Sequence, residues 1–509
     1  MGTSKLKEFM EKNSEILNDK AAAELQHKKG KLTARERLKY LLDEDSFVEL
    51  DSFAELRIKE LEAKKRPGDG VLAGYGTINK RPAYVYAQDF SFMGGSMGEI
   101  HNKKIANVME LSLKTGCPCI GLLDSGGARI QEGICALDSG GKIFQLNTLS
   151  SGIIPQISAI MGPCAGIAAY SPALADFVFM VKKTSHMFIT GPEVIKTVTG
   201  ESIDLEGLGG AVAHNEKSGV AHFAADSEKE CLDMIKILLS YLPQNNLENP
   251  PYESHDSASR DTKKLESIVP QDPKKAYDMK EAIAEIFDKK SFFEVHAGFA
   301  NNIVVGFARL SGNAVGVVAN QPKVLAGCLD ISSSDKISRF VRFCDCFNVP
   351  LINLVDVTGY LPGAEQEHNG IIRHGAKILY SYSEATVPKI SLVLRKAYGG
   401  AYIALVSKDM GFDKVIAWPC AEIAVMGAEQ AVGIINREKL AGNDSENVKA
   451  ELVKEYTEKY LNPYAAAKLG KVDMIIEPKE TRIALVKCLD MIISKREKRT
   501  SKKHGNMPL

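Results

Sequence analysis

The sequence predicts an α/β protein built from two similar domains, because one pattern of segments occurs twice along its 509 residues. Residues 118–124 form an apolar run that ends in Asp, and this run is repeated at 350–356. Residues 155–158 likewise return at 388–391. In each copy an apolar strand leads through a glycine-rich turn into a helix of small residues, an alternation that is typical of α/β units.

The elements between these repeats can be predicted in chain order. Residues 1–42 are predicted to be helical with a break at 28–31, and Thr33 and Glu36 have the spacing of a capping box. A β-rich unit begins at 46–50, and a second one begins in the same way at 291–295. The predicted buried strands are 84–87, 119–123, 157–161, 315–319, 351–355 and 390–394.

A segment rich in Pro, Asn, Ser and Asp, residues 242–261, separates the two copies. Its composition cannot build a core, so it is predicted to be the interdomain linker. We therefore expect one domain at 1–258 and the other at 259–509.

The composition excludes several classes of protein. Apolar residues make up 45% and charged residues 25%, as in ordinary globular proteins, and 64 basic residues balance 64 acidic ones, so we expect no nucleic-acid partner. The most apolar stretch, 153–181, contains three prolines and Asp176, which favour a strand and a buried helix over a membrane span. The N-terminus has no apolar signal core, and the basic stretch 495–503 is expected to be a solvated end. We predict a cytoplasmic protein whose ten cysteines, which lack zinc-site spacing, are reduced.

Two glycine-rich turns at matching positions are candidate anion sites. Residues 162–172 and 395–403 each follow a predicted strand and open a helix. Backbone N–H groups at a helix N-terminus carry positive partial charge and can hold an enolate or another oxyanion. The alternative is a tight packing turn between strand and helix. A second pair of turns, 124–133 and 356–363, could form the walls of these sites or be ordinary loops.

Other chemistry has little support in the sequence. Residues 94–98 match the nucleophile elbow of serine hydrolases, but no Asp and His partners can be assigned to Ser96. Phosphate-binding and dinucleotide-binding loops are absent from the sequence, and so is a biotin attachment segment. We assign no role to any histidine, because a lone histidine is more often structural than catalytic.

The sequence resembles the carboxyltransferase subunits of biotin-dependent acyl-CoA enzymes. The family includes the propionyl-CoA carboxylase β, methylmalonyl-CoA decarboxylase α and transcarboxylase large subunits. The motifs that carry the resemblance are 124–133, 162–172, 363–373, 385–389 and 395–402, and the similarity extends to 503–506 near the C-terminus.

This resemblance implies two domains of the ClpP/crotonase superfamily in tandem and assembly as a homohexamer. It implies that acyl-CoA binds on the side of the N-terminal domain, and that biotin on a separate carrier protein binds on the side of the C-terminal domain. In the family the two sides meet across subunits. The expected partners are the biotin carboxyl carrier protein and either a biotin carboxylase or the membrane subunits of a decarboxylase.

The resemblance also implies roles for individual residues. The N–H groups of Gly166 and Ile167 would hold the thioester enolate, and those of Gly400 and Ala401 the ureido oxygen of biotin. The substrate side would include Gly126, Gly127, Ala128, Arg129 and Ile403, and the biotin side Gly359, Tyr360 and Gly399. Two oxyanion sites suit a reaction in which carboxybiotin releases CO2, biotin takes the α-proton of the acyl-CoA, and the enolate attacks CO2.

Two departures from the family pattern bear on substrate choice. Ile167 stands where many relatives have Gly, and Ile403 stands where propionyl-CoA carboxylases usually have Asp. The expected substrates are propionyl-CoA and methylmalonyl-CoA, in either direction. Acetyl- or glutaconyl-CoA, a non-catalytic crotonase-like scaffold and a serine hydrolase remain as alternatives.

Overall fold

The chain folds into two compact units, Met1–Glu248 and Asn249–Leu509. The computed structural model describes residues 2–17, 20–254, 256–441 and 445–509. The division between the units falls within the Pro- and Asn-rich segment 242–261, of which residue 255 lies outside the described residues.

Unit 1 combines helices with one sheet. Its helices are α1 Gly2–Leu17, α2 Lys20–His27, α3 Ala34–Leu41, α4 Glu99–Thr115, α5 Ile134–Ser150, α6 Ile167–Leu174, α7 Pro192–Thr199, α8 Leu205–Gly209 and α9 Glu228–Tyr241. Its strands are β1 Val48–Leu50, β2 Val71–Ile78, β3 Arg81–Gln88, β4 Cys119–Ser125, β5 Gln156–Ala165, β6 Phe177–Val181, β7 His186–Phe188 and β8 Phe223–Ala225. Short 3-10 helices lie at Lys59–Lys64, Met93–Gly95 and Ile130–Glu132, and a π-helical turn at Ala213–Ser218.

Unit 2 repeats this arrangement. Its helices are α10 Leu265–Ile268, α11 Met279–Ile286, α12 Ile331–Cys346, α13 Ala364–His368, α14 Ile371–Glu384, α15 Gly399–Val406, α16 Ala428–Ile435, α17 Ser445–Tyr460, α18 Pro463–Lys468 and α19 Thr481–Ile492. Its strands are β9 Phe293–Val295, β10 Ile303–Leu310, β11 Asn313–Asn320, β12 Leu351–Val357, β13 Lys389–Tyr398, β14 Lys414–Ala417, β15 Glu422–Ala424 and β16 Met474–Ile475. Its 3-10 helices are Leu325–Gly327, Lys408–Met410, Lys439–Ala441 and Pro478–Glu480.

The two sheets have the same topology. In unit 1 the order is β1-β2-β3-β4-β5-β6-β8, with β7 pairing to the far end of β5. In unit 2 it is β9-β10-β11-β12-β13-β14-β16, with β15 pairing to β13. The first three strands of each sheet are antiparallel and the later ones parallel. Every residue of β4 and of β12 is buried, as expected for parallel strands covered on both faces.

The elements predicted from the sequence are confirmed. All six predicted strands form, and Thr33 makes the capping box with Glu36 at the start of α3. The helical prediction for 1–42 holds within the described residues, and 153–181 contains β5, α6 and β6. Among the described residues, no helix is both long and apolar enough to cross a membrane.

The basic C-terminal stretch is largely exposed, as predicted for a solvated end, and it also makes contacts with unit 2 that the sequence did not reveal. Lys495 pairs with Asp413 at 2.9 Å, and Lys502 pairs with Glu384 at the end of α14. Arg499 donates to the Ser383 carbonyl at 2.7 Å. These acidic and carbonyl groups lie far away in the sequence, so composition alone could not reveal that the tail is bound to the surface of unit 2.

A buried hydrogen-bond chain connects α4 to the end of β4. His101 on α4 donates from Nδ1 to the Asp69 carbonyl at 3.0 Å, because a carbonyl can only accept. Its Nε2 then accepts from the Gln88 amide at 3.1 Å, while the Gln88 oxygen accepts from the Asp124 N–H at 3.1 Å. The chain therefore requires a neutral imidazole. Burial, with a smaller contribution from the nearby Arg129 cation, lowers the pKa of His101 to about 3.

We predict that unit 1 loses stability as the pH falls from about 6.5 toward 3. In that window the unfolded chain takes up a proton on His101 that the folded chain does not, so the free energy of unfolding decreases with acidification. The loss from this group alone is about 2 kcal/mol at pH 5. Hydrogen exchange of unit 1 peptides should show the loss in the wild type and a flatter pH profile in His101→Gln. Trp418, the single tryptophan, lies in unit 2 and gives a separate control signal. Parallel profiles for the two proteins would contradict the prediction.

Candidate active site

The first glycine-rich turn joins β5 to α6 in unit 1. Gly166 stands between them with φ 58° and ψ −124°, a conformation that is essentially restricted to glycine. Among the described residues, no side chain caps α6. The first-turn N–H groups of a helix have no acceptor within that helix, so they are available to a ligand unless another group takes them.

The Gly166 N–H is already used within the protein. It donates to the Phe188 carbonyl at 3.1 Å and so extends the pairing of β5 with β7. The donors that follow it are Ile167 and Ala168, the first two residues of α6. Of the sequence-based pair, Gly166 therefore does not offer its N–H to a ligand, while Ile167 remains a candidate donor, followed by the buried Ala168.

The second turn joins β13 to α15 at the matching position of unit 2. Since Pro155 corresponds to Pro388, Gly166 corresponds to Gly399, which also has a positive φ of 56°. Gly400 and Ala401 then lie in the first turn of α15, which no side chain of the described residues caps. Gly400 is exposed and Ala401 is buried.

The loop after β4 lies directly beside the first turn. A Cβ built on Gly127, which has φ 100°, would be 2.8 Å from the Ala165 carbonyl at the end of β5, so only glycine allows this close approach. Gly126 is exposed and its N–H donates to the Gly94 carbonyl at 2.9 Å. Ala128 forms an isolated bridge with Met97, which holds the loop to the segment after β3.

Arg129 is a support for this loop and is not open to a ligand. It is only 1% exposed, and its guanidinium bonds to Asp69 at 2.7 Å and to Glu132 at 2.8 Å. The same group donates to the Ser96 carbonyl at 2.9 Å and to the Ser96 hydroxyl at 3.3 Å. The family resemblance placed Arg129 among the substrate-binding residues. In the structure, its guanidinium is instead hydrogen-bonded to groups within the protein.

Tyr360 occupies the corresponding wall of unit 2. Its ring lies 3.5 Å from where a Cβ on Gly400 would be, and 2.8 Å from where a Cβ on Gly375 of α14 would be. A bridge to Leu329 holds its backbone, as the Met97 bridge holds Ala128. Burial raises the pKa of Tyr360 to about 12, so the ring stays neutral. Gly359 has φ 139° with open space around it. The structure thus brings Tyr360 and Gly400 together.

Ile403 lies on α15, one turn from Gly400, and its side chain is 47% exposed. The corresponding residue of α6 is Tyr170, which is also 47% exposed. The two units therefore place a large apolar side chain at the same position, but with a different shape.

Two buried aspartates support the turns and were not singled out as site residues in the sequence analysis. Asp124 ends the apolar part of β4 and pairs with Lys31 at 2.6 Å and with Arg37 at 3.0 Å. Asp356 has the same place on β12 and pairs with Arg395 at 2.8 Å. The hydrogen-bonding register of each sheet shifts beside these residues. An acidic residue that closes an apolar strand in both repeats is the signal that could have revealed them.

The remaining sequence candidates do not form a second site. Ser96 follows a 3-10 helix instead of a strand, and its hydroxyl accepts from Arg129, so it lacks the geometry of a nucleophile elbow. Within the described ranges, no cluster of three or more His, Cys, Asp or Glu could hold a metal ion. All ten cysteines are free thiols.

Known proteins resemble this chain along nearly its whole length. The carboxyl transferase domain family matches residues 25–507. The propionyl-CoA carboxylase carboxyltransferase subunit of Haloferax mediterranei is 54% identical over 99% of this chain and 99% of its own length. The methylmalonyl-CoA decarboxylase subunit α of Veillonella parvula is 55% identical over 96% of this chain and 95% of its own length.

A solved structure matches the fold of both units. Transcarboxylase 12S, a hexamer solved with methylmalonyl-CoA and methylmalonic acid bound, has a TM-score of 0.94 and is 52% identical, over 96% of this chain and 94% of its own. This match confirms the predicted fold class of two crotonase-like domains in tandem. The relatives named above are subunits of an acyl-CoA carboxylase and of an acyl-CoA decarboxylase. The chain belongs to the carboxyl transferase family.

Proposed function

We propose that this protein is the carboxyltransferase subunit of a biotin-dependent acyl-CoA enzyme, with propionyl-CoA and methylmalonyl-CoA as its substrate pair. The observation that carries the proposal is the pair of matching turns at Gly166 and Gly399, each opening an uncapped helix. The relatives named above support the substrate pair, and they include both carboxylases and decarboxylases.

In unit 1 we assign the enolate oxygen of the acyl thioester to the N–H groups of Ile167 and Ala168. Gly166, the donor expected from the sequence, gives its N–H to Phe188 and instead shapes the turn. The exposed Gly126 and the adjoining Gly127 and Ala128 would form the wall on the substrate side. Arg129 would act only by holding that wall in place.

In unit 2 we assign the ureido oxygen of biotin to the N–H groups of Gly400 and Ala401. The surroundings fit such a flat bicyclic group, because Gly400 has no side chain and the ring of Tyr360 lies beside it. Gly359, with open space around it, and Gly399, with its positive φ, complete the biotin side. An aromatic wall offers contact area without a charge that would compete with the ligand.

This arrangement suits a reaction that needs no side-chain base. When bound, carboxybiotin supplies the carboxyl group as CO2 and, once decarboxylated, the base that takes the α-proton of the acyl-CoA. Gly400 and Ala401 would stabilise the charge that develops on the ureido oxygen as CO2 leaves. Ile167 and Ala168 would stabilise the thioester enolate until its α-carbon bonds to CO2. Preorganised backbone donors are effective here because they need not reorganise during the reaction.

The partners and the assembly belong to the same proposal. We propose a homohexamer that receives biotin from a separate carrier protein, together with a biotin carboxylase or with the membrane subunits of a decarboxylase. Transcarboxylase 12S is a hexamer, and relatives of this chain are named as biotin-dependent subunits. We also propose a cytoplasmic location, which the ten free thiols support.

Acetyl-CoA and glutaconyl-CoA are the alternative substrates, and a non-catalytic scaffold is the alternative role. A relative that is 51% identical is named as an acetyl-/propionyl-coenzyme A carboxylase subunit. Of the two alternative substrates, acetyl-CoA is therefore better supported than glutaconyl-CoA. A scaffold would not need a glycine-restricted turn at both matching positions, so the geometry favours an enzyme.

The proposed function predicts activity without ATP. Purified protein with free biotin and methylmalonyl-CoA should release CO2 slowly, because the turns and the acyl-CoA wall are all provided by this chain. The measurement is propionyl-CoA formation by chromatography, with and without biotin. Bicarbonate-dependent ATP hydrolysis by this chain alone would contradict the proposed division of labour, and so would no turnover of any malonyl-type CoA.

Gly400→Pro should lower kcat by about 10²–10³-fold, because it removes one oxyanion donor worth about 2.7–4 kcal/mol in the transition state. Proline is tolerated in the first turn of a helix, so α15 should still form. Gly400→Ala is the control: it keeps the N–H, and its Cβ, 3.5 Å from the Tyr360 ring, would narrow the space for biotin, so it should raise KM for biotin more than it lowers kcat. Steady-state kinetics and sedimentation should show an assembled proline variant whose kcat is far below that of the alanine variant. Equal activity of the two would refute the role of this turn.

Ile403→Asp should change the preference among acyl-CoAs more than the rate of the chemical step. The side chain is half exposed, so its carboxylate would stay hydrated and the folding cost should be small. An apolar wall discriminates by about 10–200-fold per methylene, and a charge should shift that ratio. The measurement is kcat/KM for acetyl-, propionyl- and butyryl-CoA, with Ile403→Leu as the apolar control. One common factor for all three substrates would show that Ile403 supports the turn instead of selecting the acyl chain.

A further inference from the structure

Gly140 lies in the interior of α5, where glycine is unfavourable for a helix. A Cβ built on it would lie under 3.0 Å from the Cδ1 of Ile167 and 3.3 Å from its Cγ1. The next residue, Gly141, is exposed and would accept a Cβ with nothing within 4 Å. Packing against Ile167 therefore accounts for glycine at position 140 but not at 141.

This contact is one of several that fix α6 against α5. The rings of Phe144 and Tyr170 meet edge to face with centroids 6.1 Å apart. Farther along, the Ser171 hydroxyl donates to the Asn147 amide oxygen at 2.8 Å. The Gly140–Ile167 contact is the one nearest the N-terminus of α6, and side chains at a helix start point back toward the preceding turn. The contact between Gly140 and Ile167 therefore lies at the end of α6 that carries the proposed N–H donors.

Unit 2 fills the corresponding space in a different way. There the helix glycine is Gly375 of α14, and the side chain against it is Tyr360, which comes from the loop after β12. The residue that corresponds to Ile167 is Gly400, which has no side chain. In unit 1 the loop residue that corresponds to Tyr360 is the small Ala128. Each unit thus inserts one large side chain beside a helix glycine, but unit 1 takes it from the helix that carries the donors.

We propose that Gly140 is a positioning residue for the transfer reaction: by receiving the Ile167 side chain it sets the position of the N–H groups of Ile167 and Ala168. This inference rests on the proposed function, in which those groups hold the acyl oxyanion. It also explains how isoleucine is accommodated in this turn, because its side chain is turned onto α5 and Ile167 has ordinary helical geometry.

The test compares four variants by steady-state kinetics: Gly140→Ala, Gly141→Ala, Ile167→Ala and the double variant Gly140→Ala/Ile167→Ala. In Gly140→Ala the end of the Ile167 side chain can rotate away, but its Cγ1, at 3.3 Å from the new methyl group, must still move outward. The variant should lower kcat about tenfold with little change in KM for the acyl-CoA, less than the roughly 10²-fold that a displacement of about 1 Å can cost. Gly141→Ala should keep wild-type kinetics. The double variant should be faster than Gly140→Ala and recover to the kcat of Ile167→Ala, because the new methyl group no longer meets an isoleucine side chain.

A wild-type kcat for Gly140→Ala would overturn the inference, and so would a double variant no faster than the Gly140→Ala single variant. If Gly140→Ala fails to assemble, Ile167→Ala decides: it should lower kcat severalfold at constant KM, and an unchanged kcat would overturn the inference. Gly400→Pro is assayed in parallel. If Gly400→Pro loses activity while the Gly140 and Ile167 variants keep theirs, the proposed function stands and only the positioning role of Gly140 is refuted.

Discussion

The architecture of both candidate sites depends on one backbone constraint, a glycine with positive φ where a long parallel strand becomes a helix. At Gly166 this conformation lets β5 keep its pairing with β7 up to the last N–H and then begin α6 at once. Gly399 makes the same transition from β13 to α15. A side chain at either position would be strained. The uncapped helix starts, and with them the proposed oxyanion donors, are a consequence of these two residues.

The strand beside each of these turns carries a buried aspartate near its end, and the cations that pair with it differ between the two units. In unit 1 the cations on Asp124 come from the N-terminal segment, Lys31 and Arg37, and Arg37 also pairs with Glu228 of α9 at 2.8 Å. In unit 2 the cation on Asp356 is Arg395, from the neighbouring strand β13. Removing one partner of a buried ion pair leaves the other charge buried without compensation, which strongly destabilises the fold. The geometry of the repeat is thus the same while the residues that stabilise it differ.

Much of the fold could be predicted because its signals are local. Apolar runs between glycine-rich turns mark the strands, and the Thr33–Glu36 spacing marks the start of α3. The placement of the donors is not local: Gly166 loses its N–H to Phe188, which lies beyond β6 in the sequence, so the first donor moves to Ile167. Arg129 lies in the glycine-rich loop, but Asp69, remote in the chain, occupies its guanidinium. In both cases the sequence analysis assigned a ligand to a group that is already bonded to a residue far away in the sequence. Such pairings cannot be read from local patterns.

The central claim is that each unit stabilises one oxyanion with its own turn. It is tested most directly by titrating a CoA thioether that carries a nitronate, a stable mimic of the enolate charge, into Ile167→Pro and Gly400→Pro and measuring Kd by calorimetry. Ile167→Ala serves as the control for loss of the isoleucine side chain. The account predicts that Ile167→Pro weakens the mimic strongly while Gly400→Pro binds it as the wild type does. Equal weakening in both variants, or weakening in Gly400→Pro alone, would contradict it.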